Sequence, residues 1–347
     1  MRWDPDELPK GVLLDRIARL QAALASDNLD GFVLYTNLVQ PAAVTYLTGF
    51  TPYWSDGLLL VPKSGPPIFA TALSKRVAGW IASTNPVSEI VNTPKPGTDI
   101  GARLAALGGR RAGVLELDRF PGGLYDEIAA AAPALELIDG SAQFARLRQR
   151  IDGTERGLIE RADAIAVAAL AQIDPVSVAD AGAAAGVVEK HARLLGAEEA
   201  YIAVAANLEV DRRLLRVSGA LPLAERFALR ASVAYKGSWV RRTRTFARDA
   251  TARAAIERAE GWFKGVIGAV RPGKPLAAQL AARAGELPGA RIDSFMAEST
   301  IGSYPLEVIA SSRTAEKDPI PTGGFLLLTM ALTLDGVPWL GAGPAFV

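Results

Sequence analysis

The 347-residue sequence contains no cysteine and a single histidine. The absence of thiols excludes disulfides, thiolate nucleophiles and Cys-ligated zinc, and says little about compartment. The one histidine, His191 in "VVEKHARLLGA", reads as a solvated or helix-packing residue, apart from every motif considered below. Excess charge of either sign is missing too: 38 Lys plus Arg face 37 Asp plus Glu, so no global basic field exists to attract nucleic acid or an anionic membrane. No uninterrupted apolar run reaches the ~20 residues of a membrane helix. The start, "MRWDPDELPKG", is charged and proline-containing, unlike a signal or transit peptide. The expectation is a soluble, cytoplasmic protein.

Half of the residues are hydrophobic, ample for sizeable cores, and the length predicts two domains. "LDRIARLQAAL" places Ile17, Leu20 and Leu24 on one helical face. "LDGFVLYT" reads as a buried strand, and "GLLLVPKSGPPIFATAL" as two strands joined at Lys-Ser-Gly-Pro. "RRAGVLEL" and "ALELIDG" are strand-like around a helical "GGLYDEIAAAAP". Strand and helix alternate to about residue 140, which predicts an α/β first domain, residues 1–147. "RLRQRIDGTERGLIERADAIAVAALA" predicts a long helical region interrupted near Ile151-Asp152-Gly153, opening a second domain over 148–347. There the pattern predicts a helix from Ala179 to Leu195, strands near 201–206 and 226–246, a helix from Ala250 to Val270 stopped by Arg271-Pro272-Gly273, and a β-rich end. "GAGPAFV" and "GPPIF" are turns without the strand–loop–helix setting of a phosphate cradle.

The most informative stretch is "VAYKGSWVRRTRTFAR", Val233 to Arg248: a β-hairpin about Lys236-Gly237 with Arg241, Arg242 and Arg244 crowded on its second strand. Alternation sends these side chains to both faces, and no aromatic interleaving makes a platform for nucleic acid.

With "LDGFVLYT", "VTYLTGF" (Val44–Phe50), the 146–171 helical region and the helix ending in "VRPG", the chain resembles the creatinase, prolidase and Xaa-Pro aminopeptidase family over nearly its whole length. The resemblance implies a creatinase-like α/β N-terminal domain, an α+β pita-bread C-terminal domain and a homodimer. The family's metallopeptidases read roughly Asp-x-Gly-x-x-x-x-Gly-Tyr-x-x-Asp-x-Thr-Arg-Thr-Phe, with both aspartates binding divalent metals. Gly237 and Thr243–Phe246 fit that frame without a gap, and the aspartate positions fall on Arg230 and Arg241. By looser correspondence, the metal histidine falls on Ser299 in "ESTIG", a His-Glu pair on Leu306-Glu307, one ligand glutamate on Met330, and the last near Trp339–Gly341. Arg212 lies near the family's substrate-side histidine. Tyr53 and Trp54 occupy a loop that in family dimers approaches the partner's active site, so they read either as substrate-wall residues or as a lid packed on their own domain.

Arginine cannot shed its proton to become a ligand, and hard cations are repelled by it. No metal site and no cofactor is therefore expected. A turn at Lys236-Gly237 sets residue 230 opposite 243 and 232 opposite 241, leaving Arg230 and Arg241 diagonal neighbours roughly 7–8 Å apart. Two cations there demand an anion: Glu298, Glu307 or Asp293 from within, or a ligand's carboxylate or phosphate. One reading is a metal-independent homologue holding a small anionic molecule or short peptide between Arg230, Arg241, Arg212 and Ser299, with hydrolysis of a C–N bond served by Glu307 or Glu298. The alternative is a non-catalytic pseudopeptidase acting as a binding or scaffold protein, its old cavity filled by Arg–Glu pairs and Met330. A third is a peptidase whose metals are bound by other acids.

Overall fold

The computed structural model describes residues 3–52, 54–217, 219–300, 311–314, 319–320 and 322–347, with backbone alone at 299–300 and 311–314. Two compact units meet at Arg148 and Gln149.

The first unit runs α1 (Lys10–Ser26), β1 (Gly31–Thr36), α2 (Ala42–Thr48), β2 (Gly57–Pro62), β3 (Ile68–Thr71), α3 (Ala78–Thr84), β4 (Glu89–Asn92), α4 (Pro96–Ala106), β5 (Arg111–Val114), α5 (Gly122–Ala131), β6 (Glu136–Asp139) and α6 (Ser141–Arg148). Its sheet has the order β4-β3-β2-β1-β5-β6. The β1–β2 and β2–β3 pairs are antiparallel, whereas β1–β5, β3–β4 and β5–β6 are parallel. Helices cover both faces of the sheet at β1 and β2, which is why both strands are continuous apolar runs whatever the direction of their pairing. Phe32, Leu34, Leu59 and Val61 pack with Leu13, Ile17, Leu20 and Leu24 of α1. Val33, Leu58 and Leu60 point the other way, to Ile100 and Leu104 of α4 and Ile128 of α5. The expected helix and strands are all present. The segment from Ala42 to Ala106 adds α2, α3, β4 and α4, of which α2 and α3 span 7 residues each, too short to show a helical period.

The second unit runs α7 (Gly153–Leu170), α8 (Ala181–Leu194), β7 (Glu199–Ala205), β8 (Arg226–Tyr235), β9 (Ser238–Ala247), α9 (Ala250–Ala269), α10 (Leu276–Arg283), β10 (Ala290–Thr300), β11 (Ser311–Thr314), β12 (Phe325–Leu334) and β13 (Val337–Phe346). The interruption predicted near Ile151 is the gap between α6 and α7. Asp152 caps α7 by accepting the Glu155 N–H at 2.8 Å, and Asp249 caps α9 by accepting that of Ala252 at 2.7 Å. The sheet order is β11-β10-β12-β13-β9-β8-β7, with every pairing antiparallel. One face packs against helices. Phe227, Leu229, Ala231 and Val233 of β8 meet the apolar sides of α7 and α8. Leu326, Leu328, Met330 and Leu332 of β12 meet Trp262 and Phe263 of α9. The opposite face carries the alternate residues, and one register row crosses six strands as Ala203, Arg230, Thr243, Ala342, Thr329 and Met296.

This division sorts the arginines of the hairpin. Arg242 faces the helices and grips Asp163 of α7 with two hydrogen bonds, Nε to Oδ1 at 2.5 Å and Nη2 to Oδ2 at 2.8 Å. Gly343 on the adjacent strand leaves the space: a Cβ there would collide with the Arg242 guanidinium. Arg244 lies 3.9 Å from Glu260 of α9. These two fasten β9 to the helix layer, whereas Arg241 points to the other face. Among the described residues no helix is long and apolar enough to cross a membrane.

The side chains of the bidentate Arg242–Asp163 pair are only 26% and 18% exposed. Arg242→Ala should lower unfolding stability by about 2 kcal/mol by stranding the carboxylate, and adding Asp163→Ala should recover part of that loss. Urea denaturation of the single and double variants checks both outcomes.

Candidate functional site

The hairpin turn fixes the site. Lys236 and Gly237 both take positive φ, 46° and 76°, the conformation of a two-residue turn whose twist matches the strands it joins. The Gly237 N–H is further tied to Oε2 of Glu198 at 3.1 Å, and burial holds the Glu198 carboxyl above the usual glutamate value. From this turn the register runs Ser232 opposite Arg241 and Arg230 opposite Thr243, as the sequence predicts. Phe227, Leu229, Ala231, Val233, Val240 and Phe246 are in the helix-side core, so Arg230, Ser232, Arg241 and Thr243 share the far face.

Glu298 shares that face from β10, since its neighbour Ala297 belongs to the helix-side core. Nη1 of Arg241 donates to its Oε2 at 3.2 Å. Strands β13 and β12 lie between β9 and β10, so this ion pair stretches over both. Glu298 is only 4% exposed, and removal of its partner would leave a buried carboxylate. Arg230 has no such match. Its Nε is buried without a hydrogen-bond partner, and no hydrogen bond or ion pair joins it to any described residue. Burial, and then the neighbouring Arg241 charge, hold its guanidinium below the ordinary arginine value, opposed by the more distant Glu298. Thr243, directly opposite, has a buried hydroxyl oxygen that is likewise unpartnered. Two orphaned polar groups thus stand side by side where such groups ordinarily find partners.

Arg212 donates to Asp293 at 2.6 Å and to the Thr333 hydroxyl at 3.0 Å, and Asp293 also receives Arg291 at 2.7 Å. Arg212 and Asp293 therefore satisfy each other, and neither is joined to Arg230 or Arg241. Ser299 occupies β10 in register with Ser312. Glu307 and Tyr53 lie outside the described residues. Trp54 is 57% exposed and stacks on Trp80 of its own unit, with ring centroids 5.5 Å apart. Met330 does not face the arginines: it is buried against α9, and its strand neighbours Thr329 and Ala331 have the opposite parity. Only Phe325–Leu328 are buried on both faces; beyond them the buried Leu328, Met330, Leu332 and Leu334 alternate with the half-buried Thr329, Ala331 and Thr333, a period-two signal that groups Met330 with the leucines. Trp339 is also on the helix side, 5.1 Å from Phe263, whereas Leu340 is bonded through its backbone to the Thr245 hydroxyl. His191 bonds the Val187 carbonyl at 2.9 Å along α8. Thr243 was not singled out by sequence, although alternation from Arg241 places it on the same face. Among the described residues no three His, Asp or Glu groups are arranged to hold a metal ion.

Residues 16–150 match the model of the creatinase/prolidase N-terminal domain. Among solved structures, the chain is similar to an Xaa-Pro dipeptidase from Bacillus anthracis, with 17% identity, TM-score 0.69, and coverage of 96% of this chain and 95% of that one. It is similar to the prolidase from Pyrococcus horikoshii OT3 at 14% identity, TM-score 0.68, with 95% and 93% covered. The N-terminal domain of the FACT complex subunit SPT16 from Cicer arietinum aligns at 14% identity, TM-score 0.65, over 97% and 94%. These likenesses show the fold: a creatinase-type mixed sheet followed by the antiparallel sheet and flanking helices of the prolidase pita-bread structures. No curated protein matches the sequence.

The two arginines should respond oppositely to removal. Arg230→Met deletes an unmatched, largely buried charge and should leave stability unchanged or raise it by about 1 kcal/mol, whereas Arg241→Met strands Glu298 and should lower it by about 3 kcal/mol. Chemical denaturation midpoints at constant m-value report both.

Proposed function

We propose that the second unit binds a small carboxylate-bearing molecule at Arg230 and Arg241, in place of the divalent metals that the resemblance implies for this region. The observation that carries this reading is the half-buried Arg230 guanidinium, whose Nε has no hydrogen-bond partner among the described residues, beside Arg241, which is engaged with Glu298. A planar guanidinium suits a carboxylate, with two parallel N–H···O bonds, and the Thr243 hydroxyl stands ready to donate a third. A ligand carboxylate would satisfy both orphaned groups at once. Among the described residues the donor set does not fit a pair of divalent metals: two positions of the metallopeptidase frame carry permanent cations, Glu298 accepts from Arg241, and Asp293 accepts from Arg212 and Arg291. No metal step is therefore assigned.

Hydrolysis of a C–N bond at this face would need a carboxylate to take a proton from water. Glu298 is engaged by Arg241 as a structural counter-ion, which leaves Glu307 as the candidate for that step. The same engagement of Glu298 favours the second reading, a non-catalytic binding or scaffold protein. The fold itself is compatible with both roles, since it is found in prolidases and in a domain of a FACT complex subunit.

Calorimetric titration with sodium formate or acetate in low-chloride buffer tests the binding claim. Saturable binding is expected, weakened at least about tenfold in Arg230→Met. Absence of binding in the wild-type protein, or identical binding in the variant, would contradict it.

A further inference from the structure

The ion pair between Arg241 and Glu298 fixes more than the spacing of two strands. Glu298 is opposite Leu327, which is opposite Pro344, two residues beyond the Ala342–Thr243 pair. Antiparallel continuation sets Arg241 at the other end of that row, three strand spacings or roughly 14–15 Å from Glu298 between backbones. The 3.2 Å contact requires both long side chains to lie along the sheet toward each other. Their exposures differ: the Arg241 side chain is 22% exposed and that of Glu298 5%. A solute can reach the guanidinium, whereas the carboxylate behind it is sealed from water.

Glu298 uses only Nη1 of Arg241, and among the described residues this is the one hydrogen bond of that guanidinium. Its remaining donors share the face with the orphaned Nε of Arg230 and the unpartnered hydroxyl of Thr243. At 8% exposure, Thr243 is a buried polar group of the kind that ordinarily has a partner. Arg226 takes Glu209, Arg212 takes Asp293, and Arg291, 77% exposed at its side chain, is solvated. Among the described residues, the two guanidiniums of Arg230 and Arg241 against the fixed carboxylate of Glu298 therefore leave a single positive charge to be matched.

We infer that Glu298 sets the charge of the ligand: the site takes a singly charged carboxylate and discriminates against short dicarboxylates and phosphate esters, whose second charge is already supplied by Glu298. This rests on the anion-binding reading above and adds the residue that selects among anions. One carboxylate between Arg230, Thr243 and the open side of Arg241 neutralises the remaining charge and leaves the Arg241–Glu298 pair intact. A second negative charge there would lie within about 8 Å, one Debye length, of the Glu298 carboxylate, in a half-buried setting that salt screens less than bulk water. The two would repel, and a dianion also gives up more hydration on entry. Glu298 need not touch the ligand, because it acts through Arg241 and by its own field. It is a specificity-determining residue, distinct in role from the arginines that hold the charge.

Methanesulfonate and sulfate are tetrahedral anions of similar size carrying one and two charges, so the ratio of their affinities reads charge preference apart from shape. Calorimetric titration of both, and of acetate, at constant ionic strength uses the full-length wild-type protein, Glu298→Gln, Glu298→Asp and Arg230→Met. In the wild-type protein sulfate should bind no more than about threefold more tightly than methanesulfonate. Loss of the carboxylate in Glu298→Gln should raise that ratio at least about tenfold, whereas Glu298→Asp, which keeps the charge, should leave it within about threefold of wild type. Should wild-type sulfate binding exceed that limit, the inference falls while an Arg230-dependent acetate site stands. The same holds if Glu298→Gln leaves the ratio unchanged, or if Glu298→Asp shifts it as far as Glu298→Gln does. Should no anion bind, or Arg230→Met bind them all unchanged, the anion site itself falls. If Glu298→Gln fails to fold, the wild-type ratio decides the matter.

Discussion

A guanidinium keeps its charge at any pH a folded protein meets, so each arginine drawn into a sheet must be matched by a fixed anion or left at a cost. The β8–β9 hairpin of this chain is organised by that constraint. Arg242 takes Asp163 on the helix side, Arg244 lies near Glu260, and Arg241 reaches over two strands to Glu298. Each match ties β9 to a different neighbour: α7, α9 and β10. Arg230 alone lacks one among the described residues, and it does so next to Arg241 rather than at a solvated edge. Among the described residues, packing around the hairpin therefore leaves the Arg230 charge without a matched carboxylate on the face of the sheet away from the helices.

Strand alternation converts a run of arginines that looks like a basic patch into two separate devices. The odd-numbered Arg241 shares a face with Thr243 and, across the hairpin, with Arg230 and Ser232. The even-numbered Arg242 and Arg244 are structural fasteners. Reading the stretch as one cluster would assign all of them a single role, and the register forbids it.

Much of this was legible before the fold was known, for a physical reason. A Lys-Gly pair between two β-prone runs admits a left-handed turn, which fixes register, and register fixes faces. The partners were not legible: Asp163 lies 79 residues from Arg242, and Glu298 lies 57 from Arg241, separations that no local pattern encodes. Met330 was placed by loose correspondence to a family strand, although its alternation with Thr329, Ala331 and Thr333 already groups it with the helix-facing leucines. Arg212, read as a site residue from its position in a resemblance, bonds Asp293, and Trp54, read either as a substrate wall or as a lid on its own domain, stacks on Trp80 of that domain. Thr243 was legible by alternation from Arg241 and by its place opposite Arg230 in the hairpin, although it was not singled out. At 14–17% identity the solved relatives establish architecture and leave chemistry to the side chains.

Arginine, on this view, supplies the positive charge that bound divalent metals supply to the metallopeptidases resembling this chain. The most direct test is metal stoichiometry. The protein is loaded separately with manganese, cobalt and zinc, desalted, and assayed for metal per chain by mass spectrometry of the digest. Retention well below one equivalent is the predicted result. Retention of about two equivalents, lost when Glu298 is changed to Gln, would place a dimetal centre where the arginines stand and contradict the assignment.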